Sequence, residues 1–160
     1  MPTRTRSRAL FCMEPGGVYV PRSRRPVLEG PEAVAMYLFT LYPRKFPQEA
    51  FMTLLVDPRH RVERAVMVSL GTLSSALVHP RDVFAPAILH RSLAIILSHN
   101  HPSGDPEPSQ EDFALTTSLV KAGRLLGIEV LDHLVLGSDG KKRWCSMKAS
   151  HSTVFETRKG

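Results

Sequence analysis

Val34, Leu38 and Leu41 recur at helical spacing behind Pro31, a residue suited to a first turn, and predict a helix over residues 31–41. Pro43 and Pro47 then interrupt the chain. The apolar, β-prone run EAFMTLLVD closes on the turn DPRH and predicts a buried strand, the first of a hairpin. RVERAVMVSLG is its expected partner and TLSSALV a third strand, with Gly71 as turn or bulge, so that the three form a meander. PRDVFAPAILH predicts a short helix with Val83, Ala87 and Leu89 near one face, Pro86 being accommodated close to its start.

SLAIILS is apolar at every position but its ends, the pattern of a central strand covered on both faces. SQEDFALTTSLVKAGRLL then predicts a helix over residues 109–126. Phe113, Thr117, Val120 and Arg124 lie on one stripe, Leu115, Leu119 and Leu126 broaden it, and Gly127 supplies the stop. IEVLDHLVLG and KRWCSM predict a last hairpin around Asp139-Gly140. Strands alternate with helices and hairpins without strict βαβ units, which implies a single α/β domain with a mixed, largely antiparallel sheet flanked by helices. Residues 1–29 are expected as a basic, flexible arm, 30–149 as the domain and 150–160 as a tail.

The chain has 160 residues, 42% of them hydrophobic, enough to bury a core without disulfides. Cys12 and Cys145 lack CxxC spacing, which excludes a disulfide framework and a cysteine-rich zinc site. A reducing cytoplasm is the expected location. Apolar runs of 18 or more residues are absent, and ALFCM is followed at once by Glu14 and Pro15, so neither a membrane partner nor a signal peptide is expected. The net charge of +6 invites a nucleic-acid reading. Its distribution weakens that reading, because six arginines against Glu14 in residues 1–25 carry nearly all of it. Such a segment is more often a solvated arm than a reader of bases.

The chemistry concentrates in HNHPSGDPEPSQED, residues 99–112. In an extended segment His99 and His101 point the same way while Asn100 faces elsewhere. The turn residues of PSGDPEP can fold the next helix back over the strand end and bring Asp112 to the histidines. Two histidines and an aspartate leave one tetrahedral position for water, the open arrangement of catalytic zinc. A general base is still needed, and spacing leaves Glu49, Asp82, Asp105, Glu107, Glu129 and Asp132 open. Ser109 with Asp112 also reads as a helix cap, and for that pair alone capping is the favoured reading.

The pattern His-x-His, seven residues, Ser, two residues, Asp resembles the metalloprotease motif of JAB/MPN domains. Asn100 and the following PSGDP mark the RadC branch, and similarity runs from YPRKFPQEAFMTLLVD through VHPRDVFAPAIL to LLGIEVLDHLVLG. The resemblance implies the JAB/MPN, cytidine deaminase-like architecture. It implies Zn2+ on His99, His101 and Asp112, Glu49 as the base, and Ser109 at the oxyanion. The function implied is zinc-dependent hydrolysis of a peptide or isopeptide bond, with a peptide or protein as partner. Asp132 and His133 recur in RadC-like sequences outside the metal motif and are expected in a structural role, with help to the metal-bound histidines as the alternative.

Two departures limit the transfer. Eukaryotic isopeptidase relatives carry Ser or Thr at the position of Asn100, together with insertions for which there is no room here, so ubiquitin-like specificity is not implied. Full-length RadC-like proteins tend to carry an N-terminal helix-hairpin-helix-like segment, whereas about 30 residues precede the first helix predicted here. A nonenzymatic DNA-associated module using the arginine-rich arm is the alternative function. A zinc nucleobase deaminase is set aside, since such enzymes need an HxE motif with a later PCxxC and the chain has no CxxC.

Overall fold

The computed structural model describes residues 17–71 and 78–156. In chain order its elements are β1 (Val18–Tyr19), α1 (Pro31–Leu41), β2 (Glu49–Val56), β3 (Val62–Gly71), α2 (Pro80–Leu89), β4 (Ala94–His101), α3 (Gln110–Leu126), β5 (Glu129–Gly137), β6 (Trp144–Ser146) and α4 (Met147–Ser150). The strands form one sheet in the order β1-β3-β2-β4-β5-β6. Among the described residues only β4 and β5 run parallel. A parallel pair needs a crossover, and α3 provides it.

Helices cover both faces of the sheet, which is why β2 and β4 read as continuous apolar runs. Ala50, Met52, Leu54 and Val56 of β2 pack with Val34, Ala35, Leu38 and Leu41 of α1. The alternate residues Phe51 and Leu55 join Val83, Phe84 and Ala87 of α2 and Leu119 and Val120 of α3. One layer of the sandwich is therefore α1, and the other is α2 with α3.

Both helices of the second layer are rotated from the sequence expectation. In α2 the buried residues are Val83, Phe84 and Ala87, whereas Leu89 is 70% exposed. In α3 the buried stripe is Thr116, Leu119, Val120 and Gly123, not the one through Phe113, Thr117 and Arg124. Gly123 is the reason: a Cβ there would run into the carbonyl oxygen of Ile128, so α3 meets β5 through its smallest residue. Leu125 and Leu126 are left exposed. The expected third strand TLSSALV falls largely on residues outside those described, and the second neighbour of β2 is β4.

The ends of the domain also differ from expectation. Val18 and Tyr19 pair with Ala65 and Arg64 of β3, Val27 bridges to Arg61, and Leu28 is buried in the core. Within this segment Arg25 reaches Asp57 at 3.3 Å and Glu63 at 3.2 Å with a side chain only 6% exposed. Within residues 17–29, Val18 and Tyr19 thus cover the outer hydrogen-bonding edge of β3, and Arg25 and Leu28 are tied to the domain. This part of the expected arm is docked, while residues 1–16 lie outside those described. At the other end, residues expected as a tail pack on α3, with Phe155 against the core and its carbonyl accepting from Arg124 at 2.8 Å. The β5–β6 hairpin forms as expected. Among the described residues no helix is long and apolar enough to cross a membrane.

Candidate metal centre

His99 and His101 occupy the C-terminal end of β4, two residues apart and therefore on one face, the face covered by α3. The loop that follows folds back tightly. The Gly104 and Ser138 N–H groups both donate to the carbonyl of His101, at 3.0 Å each. A Cβ on Gly137 would strike Gly104, and one on Gly104, where φ is +87°, would strike the Asp139 carboxylate. These two glycines let the loop close onto β5 and deliver the start of α3 to the histidines.

At that start Asp112 performs two jobs. Its Oδ2 accepts from the Ser109 N–H at 2.8 Å while Ser109 Oγ accepts from the Asp112 N–H at 3.1 Å, a complete capping box. The same carboxylate faces His99 Nε2 through Oδ1 at 3.1 Å and His101 Nε2 through Oδ2 at 3.3 Å. The two Nε2 atoms are themselves 3.1 Å apart. Capping and convergence on the histidines are thus simultaneous properties of one side chain.

His101 carries its proton away from this cluster, because Nδ1 lies 2.8 Å from the Asp105 carbonyl, which can only accept. Its Nε2 therefore presents a lone pair unless the ring is doubly protonated. The hydrogen bond to Asp112 raises the His101 pKa, partial burial opposes it, and the nearby Glu49 carboxylate adds to the rise. Burial alone would raise Asp112, but hydrogen bonds to His101 and His99 outweigh it and hold the carboxyl well below the usual range. Acceptor atoms of all three residues lie within 4.8 Å of one another and could hold a metal ion. Tetrahedral zinc with bonds near 2.0–2.1 Å separates its ligand atoms by about 3.3 Å, so the donor set fits in kind and in spacing.

Behind the cluster, Phe51 lies parallel to the His99 ring at 6.2 Å and presents its ring edge-on to His133 at 5.5 Å. His133 Nε2 is 2.8 Å from His99 Nδ1, and His133 Nδ1 is 2.6 Å from Thr116 Oγ1. Burial pushes the His133 imidazole well below its ordinary value, so it is neutral. Asp132, next to it, accepts from Ser146 Oγ at 2.6 Å and from the Lys148 N–H at 3.1 Å, anchoring α4 to β5. The expected structural role suits Asp132, whereas His133 touches a candidate ligand directly. Thr116 lies one residue from the stripe that periodicity predicts for α3, and its i+4 spacing from Asp112 is the one sequence signal that points to it.

A family model described as the RadC-like JAB domain matches residues 28–152. The chain belongs to this family. A UPF0758 protein of Methanosarcina acetivorans is 47% identical over 110 residues, which are 68% of this chain and 47% of the relative. A UPF0758 protein of Trichlorobacter lovleyi is 53% identical over 90 residues, 56% of this chain and 39% of the relative. The chain spans about half the length, or less, of these curated relatives.

In this RadC-like JAB domain the residue between the histidines faces the other side of the sheet. Asn100 Oδ1 accepts from the Ala50 N–H at 2.7 Å, and its amide donates to the Gln48 carbonyl at 2.9 Å and to Ser138 Oγ at 2.8 Å. The contacts on Ala50 of β2 and on Gln48 just before the strand flank Glu49, so Asn100 clamps the backbone on either side of that residue. The register pairs Phe51 with His99, and Glu49, two residues earlier in the strand, falls on the same face as the histidines. The other carboxylates considered from sequence are placed otherwise. Asp105 caps the Glu107 N–H at 3.0 Å, Glu129 pairs with Ala94 at the opposite end of β4, and Asp82 is exposed beside Arg81.

Asn100 is fully buried, so truncating it strands several polar groups. Asn100→Ala is expected to cost about 3 kcal/mol, since each buried partner left unsatisfied costs about 1–3 kcal/mol. Thermal unfolding should show a midpoint about 10 °C lower, at about 2–4 °C per kcal/mol for a chain of this size. A midpoint equal to that of the wild type would mean that water takes over the clamp.

Proposed function

We propose that this RadC-like JAB domain is a zinc-dependent hydrolase that cleaves a peptide or isopeptide bond. The observation that carries this reading is the convergence of His99 Nε2, His101 Nε2 and the Asp112 carboxylate, three acceptors whose mutual repulsion a cation relieves, on the strand face that also bears Glu49. Zinc held there would lower the pKa of a water molecule towards about 7 and polarise the scissile carbonyl. Glu49 accepts the proton of the attacking water and returns it to the leaving nitrogen. The water oxygen bonds to the carbonyl carbon, the C–N bond breaks, and a carboxylate and an amine leave. Ser109 Oγ accepts from the Asp112 N–H, so its own O–H is left to donate to the carbonyl oxygen as charge develops there.

The test uses the full chain loaded with zinc and presented with linear and isopeptide-linked peptides. Cleavage that a chelator abolishes and added zinc restores is the expected result. Stoichiometric zinc without cleavage of either class would reduce the site to a metal-held scaffold. The alternative, DNA association through the arginine arm, loses one of its cations, because Arg25 is engaged by Asp57 and Glu63.

A further inference from the structure

His133 and Thr116 form a hydrogen-bonded chain with a definite direction. Thr116 Oγ1 lies 2.7 Å from the Asp112 carbonyl oxygen. A carbonyl cannot donate, so the single hydroxyl proton lies between these two oxygens, and without it their lone pairs would repel at that distance. The Met147 sulfur, at 3.6 Å, is a much weaker competitor for the proton. The hydroxyl oxygen is then an acceptor towards His133 Nδ1 at 2.6 Å, which makes Nδ1 the protonated nitrogen of that ring. His133 Nε2 is left as an acceptor towards His99 Nδ1 at 2.8 Å, so His99 carries its proton on Nδ1 and presents its Nε2 lone pair to His101 and Asp112.

We infer that Thr116 and His133 are positioning residues that set the tautomer of His99, directing its Nε2 lone pair into the metal centre through the chain Asp112 C=O, Thr116 O–H, His133, His99. Asp112 thereby acts twice: its carboxylate faces the metal position, and its backbone carbonyl orients the ligand opposite. The three side chains of the chain are fully buried or nearly so, with Thr116 and His133 at 0% exposure and His99 at 2%. Water cannot substitute for a missing member without opening the core. The inference rests on the metal reading of His99 and is independent of whether the domain hydrolyses anything.

Thr116→Val keeps the shape and removes the oxygen. His133 then lacks an acceptor at Nδ1, and its favourable state is the opposite tautomer, which donates from Nε2 to His99 Nδ1 and places the His99 proton on the ligand nitrogen. Zinc affinity, measured by competition with a chromophoric chelator, is expected to fall about ten- to hundredfold, the usual effect of losing an outer hydrogen-bond partner. Thr116→Ser, which keeps the hydroxyl, should restore it. Long-range 1H–15N correlation spectra of the 15N-histidine-labelled full chain read the tautomers directly, with and without zinc. Without zinc, wild type should show the His133 proton on Nδ1, and Thr116→Val should show it on Nε2; bound zinc, which needs the His99 Nε2 lone pair, should pull the variant back towards the wild-type tautomer. A wild-type His133 proton on Nε2, or unchanged zinc affinity in a folded Thr116→Val variant, overturns the inference. Should Thr116→Val fail to fold, the wild-type spectrum and the serine variant still decide. Failure of the wild-type chain to bind zinc at all would instead count against the proposed function, while the metal-free spectrum would still report the direction of the chain.

Discussion

Glu49→Gln is expected to retain zinc at the wild-type level and to hydrolyse the substrate at least about a hundredfold more slowly. The substitution keeps size and hydrogen bonding but removes the basic carboxylate. Glu49 is not among the three residues that could hold a metal ion, which is why metal content should not follow activity. Its position is set by main-chain geometry: it opens β2, and Asn100 holds the backbone of Gln48 and Ala50 on either side. In the proposed mechanism, a base carried on a strand end fixed in this way would need little reorganisation to meet the proton it removes. Metal analysis and turnover measured on the same preparation separate the outcomes. Unchanged turnover would remove Glu49 from the mechanism, and loss of zinc would make it a ligand or a folding residue.

Replacing a ligand has the larger effect on the metal. His99→Ala and Asp112→Ala should each weaken zinc binding by more than the about ten- to hundredfold expected for the outer partner Thr116. The two differ in what else they lose. Asp112→Ala also dissolves the capping box of α3 and should lower the stability of the metal-free protein by about 1 kcal/mol. Asp112→Asn keeps an oxygen that can accept from the Ser109 N–H, so it should recover most of that stability while still binding zinc poorly. Denaturant unfolding in chelator isolates the cap, and elemental analysis isolates the ligand. Retention of zinc by both His99→Ala and Asp112→Ala would show that the metal lies elsewhere.

Acid should release a metal bound at this site, because a proton on His101 Nε2 would compete for the lone pair such a metal would use and the His101 pKa is raised. In the metal-free protein the linkage has two signs. The His101 contribution is full below its ordinary value of 6.5 and is lost as pH rises through the raised one. The Asp112 contribution is present above 3.8 and is lost only as pH falls through its lowered value.

Much of this protein is written in local pattern. The helix over residues 31–41 coincides with α1 and its predicted apolar positions, since Pro31 starts it and its buried stripe is set by residue spacing alone. The apolar run of β4 predicts a strand covered on both faces and that of β2 a buried strand, and both hold because side chains alternate between two buried layers. His99 and His101 could be assigned to one face from the period of an extended chain, and the turn residues of PSGDPEP indicated a fold-back towards Asp112.

Contacts between distant segments decided the rest. Thr116 and His133 are 17 residues apart, and only the close approach of α3 to β5 at Gly123 turns the threonine towards the histidine. That approach also rotated α3 away from the stripe expected through Phe113, Thr117 and Arg124. Asn100 reads as the residue that faces away from the histidines, and its grip on Gln48, Ala50 and Ser138 exists only once three strand ends lie side by side. Arg25 read as one charge of a basic arm until Asp57 and Glu63 arrived from across the β2–β3 hairpin. Residue type and period determine which face a side chain takes within its own element, because that depends on the local backbone alone. Which partner waits on that face depends on how elements far apart in sequence pack together, and here that packing decides what surrounds each candidate ligand.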